Sequence, residues 1–242
     1  MKISPGCFDG YTYSKKTHLA CLAACAVGLY GCHVDFSVCD LKCYQDLLVY
    51  GFVIENVSPG SRVLEIGGGD SRVLGSLTAE YECWNIDKYE GLGNGPVKAS
   101  DEKGNRLVKD YIGNFNPMLK EQYFDFVFSI SVLEHIREDR GITFADILMD
   151  MERVMAPGAL SLHCLDLVIK NEFVWSSPIL KFLFEKSVTL NRFVPFQELL
   201  ADGNIYMMTE EAYDSCWRDI TQKEYAAFGK PFSYNILMQK MR

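Results

Sequence analysis

Hydrophobic residues along this chain fall into two alternating patterns. Short and nearly continuous apolar runs predict buried parallel strands at 62–66, 81–86, 107–112, 124–130 and 160–165. Other segments carry apolar residues three and four positions apart, which predicts helices at 40–56, at 71–77 and from Thr143 onward. Strands that alternate with helices in this way predict an α/β fold built on a doubly wound, mostly parallel sheet.

Both flanks of this alternation carry further apolar segments. Leu19–Tyr30 is an apolar run that is too short to cross a bilayer, so no transmembrane segment is predicted. We expect it to form a buried N-terminal helix. Residues 169–208 interrupt the alternation with a dense set of aromatic and aliphatic side chains. Beyond them the pattern predicts a helix at 209–217 and a last strand at 233–241.

Composition narrows the functional classes. The chain has 242 residues, of which 48% are hydrophobic, and this is enough for one domain with a sizeable core. Its net charge is −8 and no run of Lys and Arg exceeds two residues. This argues against a nucleic-acid partner, because phosphate contacts need a basic surface. The nine cysteines form no C-x-x-C pair, so we predict no metal site and a reducing, cytoplasmic location.

The segment RVLEIGGGDS at 62–71 carries the first functional signal. A strand, three glycines and a helix start form the opening of a nucleotide-binding βαβ unit, because glycine lets the backbone approach a ligand closely. A dinucleotide fingerprint requires glycine at three places, G-x-G-x-x-G. Gly67 and Gly69 match the first two, but Arg72 occupies the third. This departure disfavours a nicotinamide-dependent oxidoreductase.

The same segment resembles the cofactor loop of class I S-adenosylmethionine-dependent methyltransferases. In that family an acidic residue stands two positions before the first glycine, as Glu65 does here. The resemblance implies that Gly67, Gly68 and Gly69 make room for the methionine part of the cofactor and that Glu65 orients its ammonium group. Asp87 ends the second strand about 20 residues further on, where a carboxylate can hold two ribose hydroxyls.

Three further positions belong to the cofactor site that this resemblance implies. Lys88 directly follows the ribose-binding carboxylate. Asp110 and Tyr111 stand near the end of the predicted strand 107–112 and match in type the pair that brackets the adenine in the family. We therefore expect S-adenosyl-L-methionine as the cofactor, bound at the carboxyl edge of the sheet, with S-adenosyl-L-homocysteine as the product.

A second segment, Asp-x-Val-x-Ser followed by Leu-Glu-His-Ile at 125–136, resembles small-molecule methyltransferases that include the ubiquinone-pathway enzymes. By this resemblance, Ser129 and Ile130 lie at a strand end beside the transferable methyl group. His135 is the candidate catalytic base because histidine titrates near neutral pH; the alternative is a structural histidine at a helix start. Glu134 is a candidate to hold a substrate amine, a proton or a divalent cation.

The resemblance covers residues 58–168 and implies a Rossmann-like, seven-stranded sheet. It divides the chain into an N-terminal helical extension (1–57), the cofactor-binding core (58–168), a helical substrate cap (169–208) and the last helix and strands of the same domain (209–242). Because the family places its cap over the acceptor, Phe182 and Phe184 are expected to line a partly apolar pocket. The alternative is that this part of the cap is buried against residues 1–35.

These observations predict an S-adenosylmethionine-dependent methyltransferase that moves a methyl group to an oxygen or nitrogen of a small molecule. Two alternatives stay open at this point. One is a non-catalytic cofactor-binding subunit of the same fold, and the other is a nicotinamide-dependent oxidoreductase. The expected partner is the small-molecule acceptor, and a homodimer is compatible with the sequence.

Overall fold

The computed structural model describes residues 3–91, 95–98, 104–138 and 141–241. Within them, one sheet contains the strands β1 (Arg62–Ile66), β2 (Glu82–Ile86), β3 (Arg106–Val108), β4 (Phe124–Ile130), β5 (Met155–Lys170), β6 (Phe173–Trp175) and β7 (Lys230–Gln239). Their order is β3-β2-β1-β4-β5, and both β6 and β7 pair with β5. The first five strands are parallel, whereas β6 and β7 are antiparallel to β5. This topology confirms the predicted doubly wound, mostly parallel, seven-stranded sheet.

Helices cover both faces of the sheet. In the described residues they are α1 (Leu19–Tyr30), α2 (Leu41–Asn56), α3 (Arg72–Leu77), α4 (Phe144–Val154), α5 (Pro178–Lys186), α6 (Phe196–Ala201), α7 (Glu210–Cys216), α8 (Arg218–Thr221) and α9 (Tyr225–Phe228). The helices α1, α2, α3 and α7 share one hydrophobic core, in which Tyr44 and Phe52 are fully buried. The helices α4, α5 and α6 share the other, around Ile147 and Leu183. None of the helices in the described ranges has the length and apolar character that crossing a membrane requires.

The helix starts confirm several sequence predictions. The apolar run near the N-terminus forms α1 over its full length, and α2 begins directly after its N-cap, Asp40. Thr143 and Asp146 form a capping box at α4: the Thr143 hydroxyl accepts from the Asp146 amide at 3.1 Å, and the Asp146 carboxylate accepts from the Thr143 amide at 2.9 Å. Ser71 caps α3 in the same manner, by accepting from the backbone N–H of Leu74 at 3.0 Å.

Several strands differ from the sequence prediction: the last one, predicted at 233–241, is β7 at Lys230–Gln239, and β3 and β5 differ more. β3 ends at Val108 instead of residue 112, because the Asp110 amide donates back to the Val108 carbonyl at 2.9 Å and the chain leaves the sheet. β5 extends beyond the predicted 160–165 because it continues into a hairpin with β6. Asn171 in the turn of this hairpin has a φ of 50°, which Asn tolerates better than most residues. The segment 169–208 therefore begins with a strand.

A buried carboxylate joins α4 to the segment that follows β3. Asp150 is fully buried, and one of its oxygens accepts from the amides of Gly113 at 2.7 Å and Phe115 at 3.0 Å. Its other oxygen accepts from Nε of Arg153 at 2.9 Å. The Arg153 guanidinium also donates to the carbonyl of Leu119 at 2.7 Å. These bonds fix the chain between β3 and β4, including the residues directly after β3.

The substitution Asp150→Ala would remove the acceptor of two backbone N–H groups and the ion-pair partner of Arg153. We expect the free energy of unfolding to fall by about 3 kcal/mol, since one partner of a buried, hydrogen-bonded ion pair is lost. Urea denaturation followed by circular dichroism measures this change. Glu152→Ala is the matched control, because Glu152 is exposed on the same helix, and it should cost less than about 0.5 kcal/mol. Equal losses in the two variants would contradict the role given to Asp150.

Candidate functional site

The three glycines after β1 are required by the way the chain packs around them. Gly67 and Gly69 have φ values of +67° and +50°, in the left-handed region that glycine adopts at least cost. A Cβ on Gly67 would lie 2.6 Å from a methyl carbon of Val132, which follows β4. A Cβ on Gly68 would lie 2.7 Å from the carboxyl carbon of Glu65. The glycines therefore let the ends of β1 and β4 and the Glu65 carboxylate meet at one place.

Side chains from the end of β2 hold this glycine loop. The Asn85 amide oxygen accepts from the N–H of Gly68 at 3.1 Å, and its amide nitrogen donates to the carbonyl of Gly69 at 3.0 Å. The Asp87 carboxylate accepts from the N–H groups of Gly69 at 2.9 Å and Tyr89 at 2.6 Å, with one oxygen for each. Because each carboxylate oxygen has two acceptor positions, Asp87 keeps capacity for two further donors.

Glu65 is buried at the base of the glycine loop. Its side chain is only 4% exposed, and its Oε2 atom accepts no hydrogen bond within the described residues. Burial raises the pKa of Glu65 to about 8; a hydrogen bond from Ser71 and the charge of Lys42 lower this pKa, whereas Asp46 and Asp87 raise it. A buried carboxyl group without a partner favours a cation that would pair with it.

Arg72, at the third position of the dinucleotide fingerprint, joins two helices. Its guanidinium binds the Asp46 carboxylate of α2 through Nε and Nη2, both at 2.7 Å. The same Asp46 oxygen accepts from the hydroxyl of Tyr30 at 3.0 Å. Asp46 is buried, so this ion pair supplies the charge and hydrogen bonds that its carboxylate needs. Arg72 thus ties α3 to α2 beside the glycine loop.

Asp110 and Tyr111, predicted to bracket the adenine, follow β3 and lie beside Lys88, which follows β2. The Nζ atom of Lys88 lies 4.0 Å from the centre of the Tyr111 ring, in a cation–π contact. Partial burial would raise the pKa of the Asp110 carboxyl, but hydrogen bonds from Asn116 and Asn114 outweigh it and lower that pKa. The Asp110 carboxylate is therefore ionised and oriented next to the Tyr111 backbone, whose N–H it accepts at 2.9 Å.

Buried carboxyl groups also converge after β4. Ser131, with a φ of 55°, donates its hydroxyl to one oxygen of Asp166, and Gln45 of α2 donates to the other at 2.8 Å. The backbone N–H of Asp166 donates to Oε1 of Glu134 at 2.8 Å. The Oε2 atom of Glu134 is buried and accepts no hydrogen bond from the described residues. Burial, and then the Asp166 carboxylate, raise the pKa of Glu134 well above its usual range.

The other predicted residues of this strand end lie in three different environments. Ser129 is fully buried, and its hydroxyl lies 2.9 Å from Nδ1 of His163 in β5. His163 is itself fully buried in the core. Ile130 is buried in the core on the α2 side of the sheet. His135 is exposed; the surrounding protein removes part of its hydration and lowers its pKa, and the Asp166 carboxylate opposes this shift. Only His135 of these residues presents a side chain that a solute can reach directly.

A cavity of about 360 Å³ opens beside this strand end, and Glu134, Ile136, Arg137, Phe144, Trp175 and Pro178 are among the residues that line it. Phe182 packs against the Phe144 ring of this wall, with centroids 5.8 Å apart. Phe184 instead packs against Phe193 and Tyr234, at 5.4 and 6.0 Å. The two cap phenylalanines thus point in different directions. Within the described residues, no group of three or more His, Cys, Asp or Glu side chains is placed to hold a metal ion.

Several residues of the site were not identified from the sequence. They are Asn85, Gln45, Asp46 and Asp166, all buried and polar. Each interrupts a segment that is otherwise apolar, and a buried polar residue needs a hydrogen-bond partner. That interruption is the signal from which they could have been found. Their partners lie in other elements, so the signal alone does not say what they bind.

No protein-family model and no curated protein matches this sequence. The chain is similar to several solved structures. One is phosphoethanolamine N-methyltransferase 2 of Haemonchus contortus, with 13% identity, a TM-score of 0.48 and coverage of 82% of this chain and 53% of that chain. A second is the 1,6-didemethyltoxoflavin-N1-methyltransferase of Burkholderia thailandensis, with 11% identity, a TM-score of 0.45 and coverage of 76% of this chain and 72% of that chain. A third is the YcgJ protein of Bacillus subtilis, with 15% identity, a TM-score of 0.41 and coverage of 53% of each chain. The chain spans about half the length of the first and the third.

Proposed function

We propose that this protein is an S-adenosylmethionine-dependent methyltransferase that acts on a small-molecule acceptor. One observation carries the proposal: the buried Glu65 carboxyl, the glycine loop and Asp87 meet at the carboxyl edge of β1 and β2. This is the edge at which doubly wound sheets bind their ligands. Glu65 has an oxygen without a partner, and Asp87 has acceptor capacity left for ribose hydroxyls.

The residues present fit a cationic cofactor with an adenosine part. Glu65 would hold the ammonium group, Asp87 would hold the ribose, and Asp110 and Tyr111 would lie beside the adenine, with Lys88 against one face of the Tyr111 ring. When bound, S-adenosylmethionine supplies a methyl group on a positively charged sulfur, which is reactive by itself. The protein then has to align the acceptor and exclude water.

A base is needed only where the acceptor holds its proton tightly. His135 is the proposed base, because its lowered pKa leaves the imidazole neutral near pH 7 and its side chain is exposed at the end of β4. The proposal of a small molecule as acceptor rests on the size of the neighbouring cavity, about 360 Å³. A non-catalytic cofactor-binding subunit would use the same cofactor residues, and measured turnover separates the two functions.

The first test is Asp87→Ala. If Asp87 holds the ribose, this variant should bind S-adenosyl-L-homocysteine roughly 10- to 100-fold more weakly, since about 1.5–3 kcal/mol of hydrogen bonding to a charged group is lost. Isothermal titration calorimetry measures the dissociation constant. Glu80→Ala is the control: it removes an exposed acid that precedes β2 and lies outside the glycine loop, and it should bind normally.

Asp87 also holds the N–H groups of Gly69 and Tyr89, so the unfolding temperature of each variant has to be measured without ligand. Asp87→Asn keeps one acceptor oxygen for the loop and should lose less affinity than Asp87→Ala. Unchanged binding in a folded Asp87→Ala variant would sink the ribose assignment. NAD titrated into the wild type should give no heat of binding, and clear binding would revive the oxidoreductase alternative.

The second test uses the raised pKa of Glu65. Its pKa is about 8 in the folded protein, against 4.5 ordinarily. The folded state therefore holds this proton more tightly than the unfolded state. The stability that this tighter proton binding adds to the folded state is fully present below about pH 4.5 and is lost as the pH rises to 8. Glu65→Gln cannot titrate, so we expect the variant to gain stability relative to the wild type between pH 5 and pH 8. Urea denaturation of both proteins at each pH measures the difference, and a constant difference would show that Glu65 is ionised throughout.

The third test is His135→Ala. We expect transfer of the labelled methyl group from S-adenosyl-L-methionine to an oxygen or nitrogen acceptor to slow by about 100-fold, while the cofactor dissociation constant stays within a few-fold of the wild type. His33→Ala, which removes another exposed histidine, is the matched control and should be unaffected. Turnover close to that of the wild type in His135→Ala would mean that no base is required at this position.

A further inference from the structure

The cavity beside β4 combines an apolar wall with one buried acidic group. Ile136, Phe144 and Pro178 supply aliphatic and aromatic surface, and Trp175 lies at the opening with 44% of its surface exposed. Glu134, in the same wall, is only 6% exposed. Small-molecule sites commonly combine apolar surface with a few fixed polar groups. Here Ser176, Ser177, Arg137 and Glu138 complete the described lining beside Glu134 and the four apolar residues.

The Glu134 carboxyl is held in place by one oxygen only. Oε1 accepts the backbone N–H of Asp166 at 2.8 Å, whereas Oε2 is buried and accepts no hydrogen bond from any described residue. A buried carboxyl oxygen without a donor costs free energy, which a ligand that supplies the donor would recover. Glu134 lines the cavity, so a bound donor that meets Oε2 through a small rotation of this side chain would gain that hydrogen bond.

The charges around Glu134 determine whether a cationic or an anionic ligand would supply the hydrogen-bond donor. Asp166 is a second buried carboxyl group that contacts the Glu134 side chain through its own backbone, and within the described residues neither group forms an ion pair. Glu138, also in the wall, accepts from the Phe144 amide at 3.0 Å at the start of α4. Arg137 is the one basic side chain among the described lining residues. An anionic ligand beside Glu134 would meet this carboxyl with Asp166 behind it, whereas a cation would be attracted by both; Glu138 is exposed, so solvent screens its charge.

We propose that this cavity is the acceptor site and that the acceptor is an amine, cationic in solution, on an aromatic or cyclic apolar body, whose N–H donates to Oε2 of Glu134. We place the same cation against the ring of Trp175, which lines the cavity, since Trp is the strongest cation–π partner among the aromatic residues. The apolar body lies against Phe144 and Ile136. This inference rests on the proposed methyltransferase function and specifies its substrate class.

The test compares two probes of similar shape and opposite charge, 2-phenylethylamine and 3-phenylpropionate, with S-adenosyl-L-homocysteine present. Ligand-observed NMR at pH 7.5 gives both dissociation constants. We expect the amine to bind the wild type at least tenfold more tightly than the carboxylate. The indole N–H resonance of Trp175, assigned with Trp175→Phe, should shift when the amine is added.

Glu134→Gln keeps the size of the side chain but cannot become an anion when a cation binds, so the preference for the amine should fall to less than threefold. Glu138→Gln is the matched control, because Glu138 is exposed in the same wall, and it should retain the preference. Trp175→Ala should raise the dissociation constant of the amine by about tenfold. Should Glu134→Gln fail to fold, the wild-type preference and the Trp175 shift still decide the matter.

Equal binding of the two probes, binding of neither, or an unchanged preference in a folded Glu134→Gln variant would each overturn the acceptor assignment. Calorimetry with S-adenosyl-L-homocysteine alone keeps this result separate from the proposed function. Glu134→Gln and Trp175→Ala should bind it as the wild type does. If the cofactor product binds and the amine does not, only the substrate class is wrong; if the cofactor product does not bind, the proposed function itself fails.

Discussion

Buried carboxyl groups at the carboxyl edge of the sheet are the constraint on which the site depends. Glu65 near the end of β1 and Glu134 after β4 each have one oxygen without a partner among the described residues. Such groups cost folding free energy unless they are protonated or paired. The protein keeps them in place with surrounding hydrogen bonds from Ser71 and the Asp166 backbone. A ligand with positive charge would recover that cost, which is the physical basis for a site at this edge.

The two halves of this site are joined by direct packing. Val132 lies against Gly67, at a distance that leaves no room for a side chain on the glycine. Ser131, just before it, has a positive φ, which is uncommon outside glycine, and its hydroxyl bond to Asp166 helps to hold that conformation. A substitution such as Gly67→Val would therefore disturb the end of β4 as well as the glycine loop. Changes at Gly67 report on folding and on binding together.

The sequence identifies Arg72 as an unusual residue at its position, but it does not show what Arg72 binds. In the sequence it is a departure from the dinucleotide fingerprint. In the structure it forms an ion pair with buried Asp46, supported by Tyr30, and so connects α3 to α2. In the dinucleotide fingerprint the third glycine allows close packing of the helix on the strand. The sequence and the structure both show that Arg72 does not serve that purpose here. The sequence could not supply the partner, because Asp46 precedes it by a strand and most of a helix.

The sequence by itself determined the elements and the part of the site that is local along the chain. Periodicity predicted every strand except β6 and most helices, and the family resemblance assigned Glu65, the glycines and Asp87 at strand ends that a parallel sheet brings to one edge. Only the tertiary structure decided the long-range contacts. Gln45 and Asp166 are 121 positions apart, and Trp175 reaches the cavity because β5 continues into an unpredicted hairpin. Local patterns show that a residue is buried, but the partner it meets depends on strand order and helix packing across the whole chain.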